Sequence, residues 1–127
     1  MALTTVPIHL VKLRDGGFHL FVDIVAFGDN RWVVVDTGAS RSVFDKSFIQ
    51  RHSNDDRFAH NKAYTEEIIV IPQLQIGKIK IKDYTPLILD LKHVNSVYKK
   101  LRYPSIVAII GSDLLYNYNA IVNYKRL

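Results

Sequence analysis

Apolar runs rich in β-branched residues, each closed by a short turn signal, open this sequence. They are Val6-Pro7-Ile8-His9-Leu10-Val11, then His19-Leu20-Phe21-Val22-Asp23-Ile24-Val25-Ala26-Phe27, then Arg31-Trp32-Val33-Val34-Val35. Asp15-Gly16-Gly17 and Gly28-Asp29-Asn30 separate them as turns. Side chains that branch at Cβ suit a pleated surface better than a helix. Strand runs joined by short Gly/Asn/Asp turns therefore point to an antiparallel, all-β-leaning architecture. The third run is nearly continuous in apolar character, as a strand covered on both faces would be.

Further along, the pattern is mixed. Val43-Phe44 and Phe48-Ile49 are spaced for one or two helical turns. Residues 51–67 are polar, with Ser53-Asn54-Asp55-Asp56 as the expected loop or hairpin tip. Ile68-Ile69-Val70-Ile71 reads as a strand, residues 74–81 as two strand pieces about Gly77, and residues 84–89 as another strand. From Leu91 the period becomes helical through Val94, Val97/Tyr98 and Leu101, with Asp90 placed to cap and Pro104 to stop the helix. Ile106-Val107-Ala108-Ile109-Ile110-Gly111 is a buried strand running into glycine. Ser112 is positioned to cap a short helix, and Ala120-Ile121-Val122-Asn123-Tyr124 reads as a closing strand.

A length of 127 residues fits one domain spanning 1–127. Hydrophobic residues at 48% and charged residues at 23% are globular proportions, so disorder of the whole chain is not expected. No apolar run approaches the roughly 18 residues of a membrane span, and no signal peptide is visible, so a cytoplasmic location is expected. With no cysteine, disulfides, thiolate metal sites and cysteine nucleophiles all drop out. The net charge of +5 raises the question of nucleic acid or anionic membrane. In Lys78-Ile79-Lys80-Ile81-Lys82, however, a strand would place all the lysines on one solvated face, which also guards an edge against aggregation. Neither nucleic acid nor a membrane is expected as a partner. His9, His19, His52, His60 and His93 have no metal-ligand spacing, and no serine sits in a Gly-x-Ser-x-Gly elbow. No metal or organic cofactor is implied.

Asp36-Thr37-Gly38-Ala39-Ser40 carries the chemistry. A carboxylate directly after a hydrophobic strand accepts backbone hydrogen bonds while sitting in a low-dielectric surround, and the two effects push its pKa in opposite directions. Taken alone it can also simply cap a turn. Beside a second carboxylate the two share one proton and titrate as a pair. One then acts as general base on a water while the other, protonated, polarises a carbonyl oxygen. That is peptide hydrolysis without a metal or a nucleophilic side chain.

The strand followed by Asp36-Thr37-Gly38-Ala39-Ser40, together with Ala108-Ile109-Ile110-Gly111-Ser112-Asp113-Leu114-Leu115, resembles the retropepsin-like aspartic proteases, single-domain relatives of pepsin. The resemblance covers most of the chain and is nearest to small cellular, often bacterial, members. It implies a closed acid-protease barrel with Asp36 as the catalytic carboxylate. Thr37 would brace the pair across a dimer, Gly38 would allow close backbone approach, and Ala39 and Ser40 would support the site. Ile110 and Gly111 would form the second structural motif. Asp113, at the start of the short helix, is favoured there by the helix dipole and is expected to be structural. The chain has one such motif where pepsin-like enzymes have two, so a homodimer is implied, each subunit donating its Asp36 across a two-fold axis. Residues 3–8 and 121–127 are the candidate interleaved interface strands. The substrate implied is an extended peptide paired by backbone bonds in a cleft.

One departure stands against the family pattern. The substrate-covering flap is commonly glycine-rich at its tip, yet residues 41–71 contain no glycine. The hairpin would turn at Ser53-Asn54-Asp55-Asp56 or Asn61-Lys62. A stiffer or shorter flap would exclude water less well. The alternative reading is a catalytically weak or inactive dimeric domain of the same fold that binds proteins. The glycine-free flap favours it and the intact Asp36-Thr37-Gly38 opposes it.

Overall fold

The computed structural model describes residues 3–53 and 69–127. Its strands are β1 (His9–Lys12), β2 (Phe18–Ala26), β3 (Asp29–Val35), β4 (Val43–Asp45), β5 (Ile71–Ile76), β6 (Ile79–Tyr84), β7 (Leu87–Leu89) and β8 (Ile106–Ile110). Its helices are α1 (Lys46–Ser53), α2 (Lys92–Lys100) and α3 (Ser112–Asn117). The strands form one eight-stranded sheet in the order β6-β5-β2-β3-β8-β4-β7, with β1 added to β2. The chain is thus mainly β with a few short helices, and the sheet is a curled half-barrel. Among the described residues no ladder joins β6 to β7, so these pairings do not close a barrel. No helix among them is long and apolar enough to cross a membrane.

Two pairings are parallel, β3 with β8 and β4 with β7, where the turn-linked runs pointed to antiparallel architecture. A parallel partner requires a long crossover. The segment from β3 to β8, which includes α1 and α2, supplies it. The β3–β8 pair matters most, because it brings the ends of two distant strands together at Val35 and Ile110.

The centre of the sheet is covered on both faces, as the continuous third run implied. Val22, Ile24, Val33, Phe44, Phe48 and Ile110 belong to one core cluster. Phe21, Val34, Ile106 and Tyr98 of α2 belong to the other. Successive residues of a strand point to opposite faces, so Phe21/Val22 and Val33/Val34 are divided between the two clusters. On β6, Lys80 and Lys82 are exposed while Ile81 is buried, and β6 lies at one end of the sheet order, as the lysine-face reading required.

Several local expectations shift. The β2–β3 turn is Phe27-Gly28, with φ of 54° and 74°, and Ala26 pairs with Asp29. Positive φ at both positions suits the twist of a two-residue hairpin. The unfavourable geometry at Phe27 is offset by its ring stacking on His52, 4.7 Å between centroids. Val43-Phe44 is strand rather than helix, because β4 completes the ladders to β8 and β7 and the helix starts only at Lys46. Ile69 and Val70 precede β5 rather than belong to it, and residues 84–89 break at Thr85-Pro86.

Helix α2 stops before Pro104. Arg102, at φ 66°, lets its own N–H reach the Lys99 carbonyl and the Tyr103 N–H reach Tyr98, the paired bonds of a Schellman ending. The Asp90 carboxylate accepts the Lys92 N–H at 2.9 Å, but the residue at the N-cap is Leu91 rather than Asp90. Ser112 is the first helical residue of α3 rather than its cap, which is Gly111. Residues 3–8 are outside any strand up to β1, which starts at His9, and residues 120–124 form no strand in the single chain. Of the proposed flap tips, Asn54-Asp55-Asp56 and Asn61-Lys62 lie outside the described residues.

Candidate active site

Strand β3 ends at Val35, and the next residue, Asp36, leaves the sheet while keeping one bond to it: its N–H donates to the Ile110 carbonyl at 2.9 Å. The chain then turns sharply. The Gly38 N–H donates to Asp36 Oδ1 at 2.9 Å, and the Ala39 N–H donates to the Asp36 carbonyl at 3.1 Å. A Cβ on Gly38 would stand 3.3 Å from Asp36 Oδ1, so a side chain there would have to displace the carboxylate by a few tenths of an ångström. Asp36, Thr37 and Gly38 are all exposed in the single chain.

The second motif locks this loop from behind. The Ser112 N–H donates to the Ala39 carbonyl at 2.7 Å, and the Ser112 hydroxyl lies 3.5 Å from the Ser40 carbonyl, at the limit of a hydrogen bond. Gly111 passes so close beneath that an added Cβ would meet the Ala39 oxygen at 2.6 Å and the Arg41 backbone carbon at 3.0 Å. The residues singled out in the sequence, Asp36 to Ser40 with Ile110 and Gly111, are therefore gathered at one place.

Two features at this site had no sequence signal. Asp113 does more than face a helix dipole. Its carboxylate accepts the Ser42 N–H at 3.0 Å and the Ser42 hydroxyl at 2.7 Å, the Leu114 N–H at 2.8 Å and the Tyr84 hydroxyl at 3.4 Å. Ser42, 1% exposed, in turn accepts the Gly111 N–H on its Oγ at 2.8 Å. This network ties the Asp36 loop, β6 and the α3 start together. Burial works to raise the Asp113 carboxyl, but the hydrogen bonds from Ser42, Leu114 and Tyr84 outweigh it and hold the group below its ordinary value.

The other feature lies at the end of the β2–β3 ladder, where Asp36 leaves the sheet. The β2–β3 register ends with Leu20 opposite Val35, so His19 and Asp36 are each the next residue beyond that last pair. Above them, the Tyr98 hydroxyl lies 2.6 Å from His19 Nδ1, and the Tyr98 ring meets Phe21 edge-on at 4.9 Å. Burial, with the Asp36 carboxylate adding to it, pushes the Tyr98 hydroxyl up to about 12. Among the described residues, no group of three or more His, Cys, Asp or Glu is arranged to hold a metal ion.

No family model matches the chain, and no curated protein matches it in sequence. Solved structures do match in shape. A retropepsin-like aspartic protease from Rickettsia conorii aligns with a TM-score of 0.55 at 21% identity, over 99% of this chain and 91% of that one. The retroviral protease-like domain of Ddi1 from Leishmania major aligns with a TM-score of 0.53 at 14% identity, over 84% of this chain and 80% of that one. The chain has a retropepsin-like fold.

Proposed function

We propose that this chain is an aspartic endopeptidase whose active unit is a homodimer, with the Asp36 carboxylates of the two subunits forming the catalytic pair. The observation that carries the reading is the Asp36-Thr37-Gly38 turn, with its carboxylate open to solvent and its backbone held by hydrogen bonds to Ile110 and Ser112. One carboxylate takes a proton from water as the oxygen attacks the peptide carbonyl carbon. The protonated partner hydrogen-bonds the carbonyl oxygen as it gains charge. The C–N bond then breaks as the nitrogen receives a proton from the pair. Thr37 braces the pair between subunits.

The dimer reading is supported by apolar side chains left uncovered near both chain ends: Leu3, Tyr116 and Ile121 are each more than 80% exposed. Pairing of residues 3–8 and 121–127 between subunits would cover them, and closure of the barrel belongs to the same reading. The substrate is an extended peptide, acted on in the cytoplasm, without metal or organic cofactor.

Cleavage of a mixed peptide library, read by mass spectrometry from acidic to neutral pH, tests this. Cuts made by the wild-type dimer should vanish in Asp36→Asn while fold and dimer persist. An absence of cuts from a demonstrated dimer would favour the protein-binding reading, for which the glycine-free 41–71 segment speaks.

A further inference from the structure

The His19–Tyr98 pair has no role in the hydrolysis described above, yet it stands beside Asp36. Tyr98 is 1% exposed and its ring is packed on Phe21, so its hydroxyl is a fixed point. Its hydrogen bond to His19 Nδ1 settles what the imidazole can offer. The Tyr98 hydroxyl is buried and has no other hydrogen-bond partner among the described residues, so beside a neutral ring it donates to Nδ1 rather than leave its own proton unpaired, and the ring proton sits on Nε2. When the ring is charged, Nδ1–H donates to the tyrosine oxygen and Nε2 still carries a proton. In both states Nε2–H is a donor. His19 is exposed, and among the described residues its only polar side-chain contact is the one through Nδ1.

We infer that His19, oriented by Tyr98, is a specificity-determining residue that donates its Nε2–H to the side chain of a substrate residue beside the scissile bond, and that the preferred side chain is a carboxamide, Gln or Asn. The inference rests on the protease reading. Leu20 and Val35 face each other as the last β2–β3 pair, their Cβ atoms about 5 Å apart, and His19 and Asp36 are the next residues on the two chains, so a peptide laid over Asp36 brings a neighbouring side chain within reach of the ring. A donor selects an acceptor over an apolar side chain of equal size. A carboxylate would accept more strongly, but it would face the charge of the Asp36 pair at short range. The neutral carboxamide accepts without that repulsion.

The test uses peptides in which the scissile amide is replaced by a non-hydrolysable hydroxyethylene link, so binding is read without turnover. The peptides differ only in Gln, Met or Glu at the flanking position. The wild-type dimer should bind the Gln peptide about fivefold more tightly than the Met peptide, the size of one net hydrogen bond. His19→Leu should erase that ratio, and His19→Gln, which keeps an amide donor, should restore part of it. Equal binding of Gln and Met peptides, a ratio that survives His19→Leu, or tighter binding of Glu than Gln would overturn the inference.

Nitrogen-15 NMR of the free chain gives a readout independent of variants at His19. The neutral ring should be the Nε2–H tautomer in wild type, and Tyr98→Phe should release it to a mixture. A wild-type ring protonated on Nδ1 would overturn the mechanism of orientation. Cleavage of the corresponding natural peptides separates the two levels. A preserved Gln preference without any cuts sinks the enzyme reading, and cuts without a Gln preference sink the His19 inference alone.

Discussion

Replacing Asp113 tests whether the second motif holds the Asp36 loop through a charge. In Asp113→Ala the buried Ser42 loses the acceptor for both its N–H and its hydroxyl, and the Leu114 N–H loses its partner. Hydrogen bonds to a charged group contribute about 1.5–3 kcal/mol net, and a buried donor left unmatched costs about 1–3 kcal/mol. Asp113 itself is half-buried, so water recovers part of this, and a loss of about 3 kcal/mol is expected. Asp113→Asn keeps an oxygen for Ser42 and Leu114 but gives up the charge and the second acceptor. About 1 kcal/mol should be lost.

The pH dependence separates charge from shape. The native carboxyl is held below its ordinary value, so in that window the unfolded chain binds more protons. Its contribution is present above the ordinary carboxylate range and is lost as pH falls through the depressed native value. Urea unfolding at neutral pH and near pH 3 measures this. The gap between wild type and Asp113→Asn should narrow on acidification. A gap that stays constant, or an Asp113→Ala variant within about 0.5 kcal/mol of wild type, would refute the reasoning.

Other substitutions probe the same frame. Gly111→Ala drives a Cβ to 2.6 Å from the Ala39 oxygen, and because that atom is backbone the cost should be about 2–3 kcal/mol in urea unfolding. Arg102→Gly relieves the left-handed residue at φ 66° that ends α2 and should stabilise by about 0.5–1 kcal/mol, read as a raised unfolding midpoint. Ile121→Asp, at a side chain 89% exposed in the single chain, should leave the subunit's unfolding midpoint unchanged. It should weaken self-association by about tenfold in sedimentation, because the partner's apolar surface would meet a charge.

Much of the site was legible because its requirements are local. Val33-Val34-Val35 before Asp36 marks a covered strand ending in a carboxylate, and Gly38 and Gly111 mark places where a backbone must come close. Each of those signals sits within a short stretch of chain. The hairpin about Gly77 and the helix through Tyr98 were legible for the same reason, since turn chemistry and side-chain period are properties of short stretches. Val43-Phe44 was misread as helix because a short apolar pair has no period of its own; only the ladders to β8 and β7 make it a strand.

Contacts that join distant residues were decided by tertiary structure alone. Ser42 and Asp113 are 71 residues apart and His19 and Tyr98 are 79 apart. Nothing in a local window links either pair, because a hydrogen bond between side chains depends on where the whole sheet places them. The parallel pairing of β3 with β8 does that placing. It carries Ile110 and Gly111 under the Asp36 loop, sets Asp113 against Ser42, and so turns an Asp-Thr-Gly string into a positioned carboxylate.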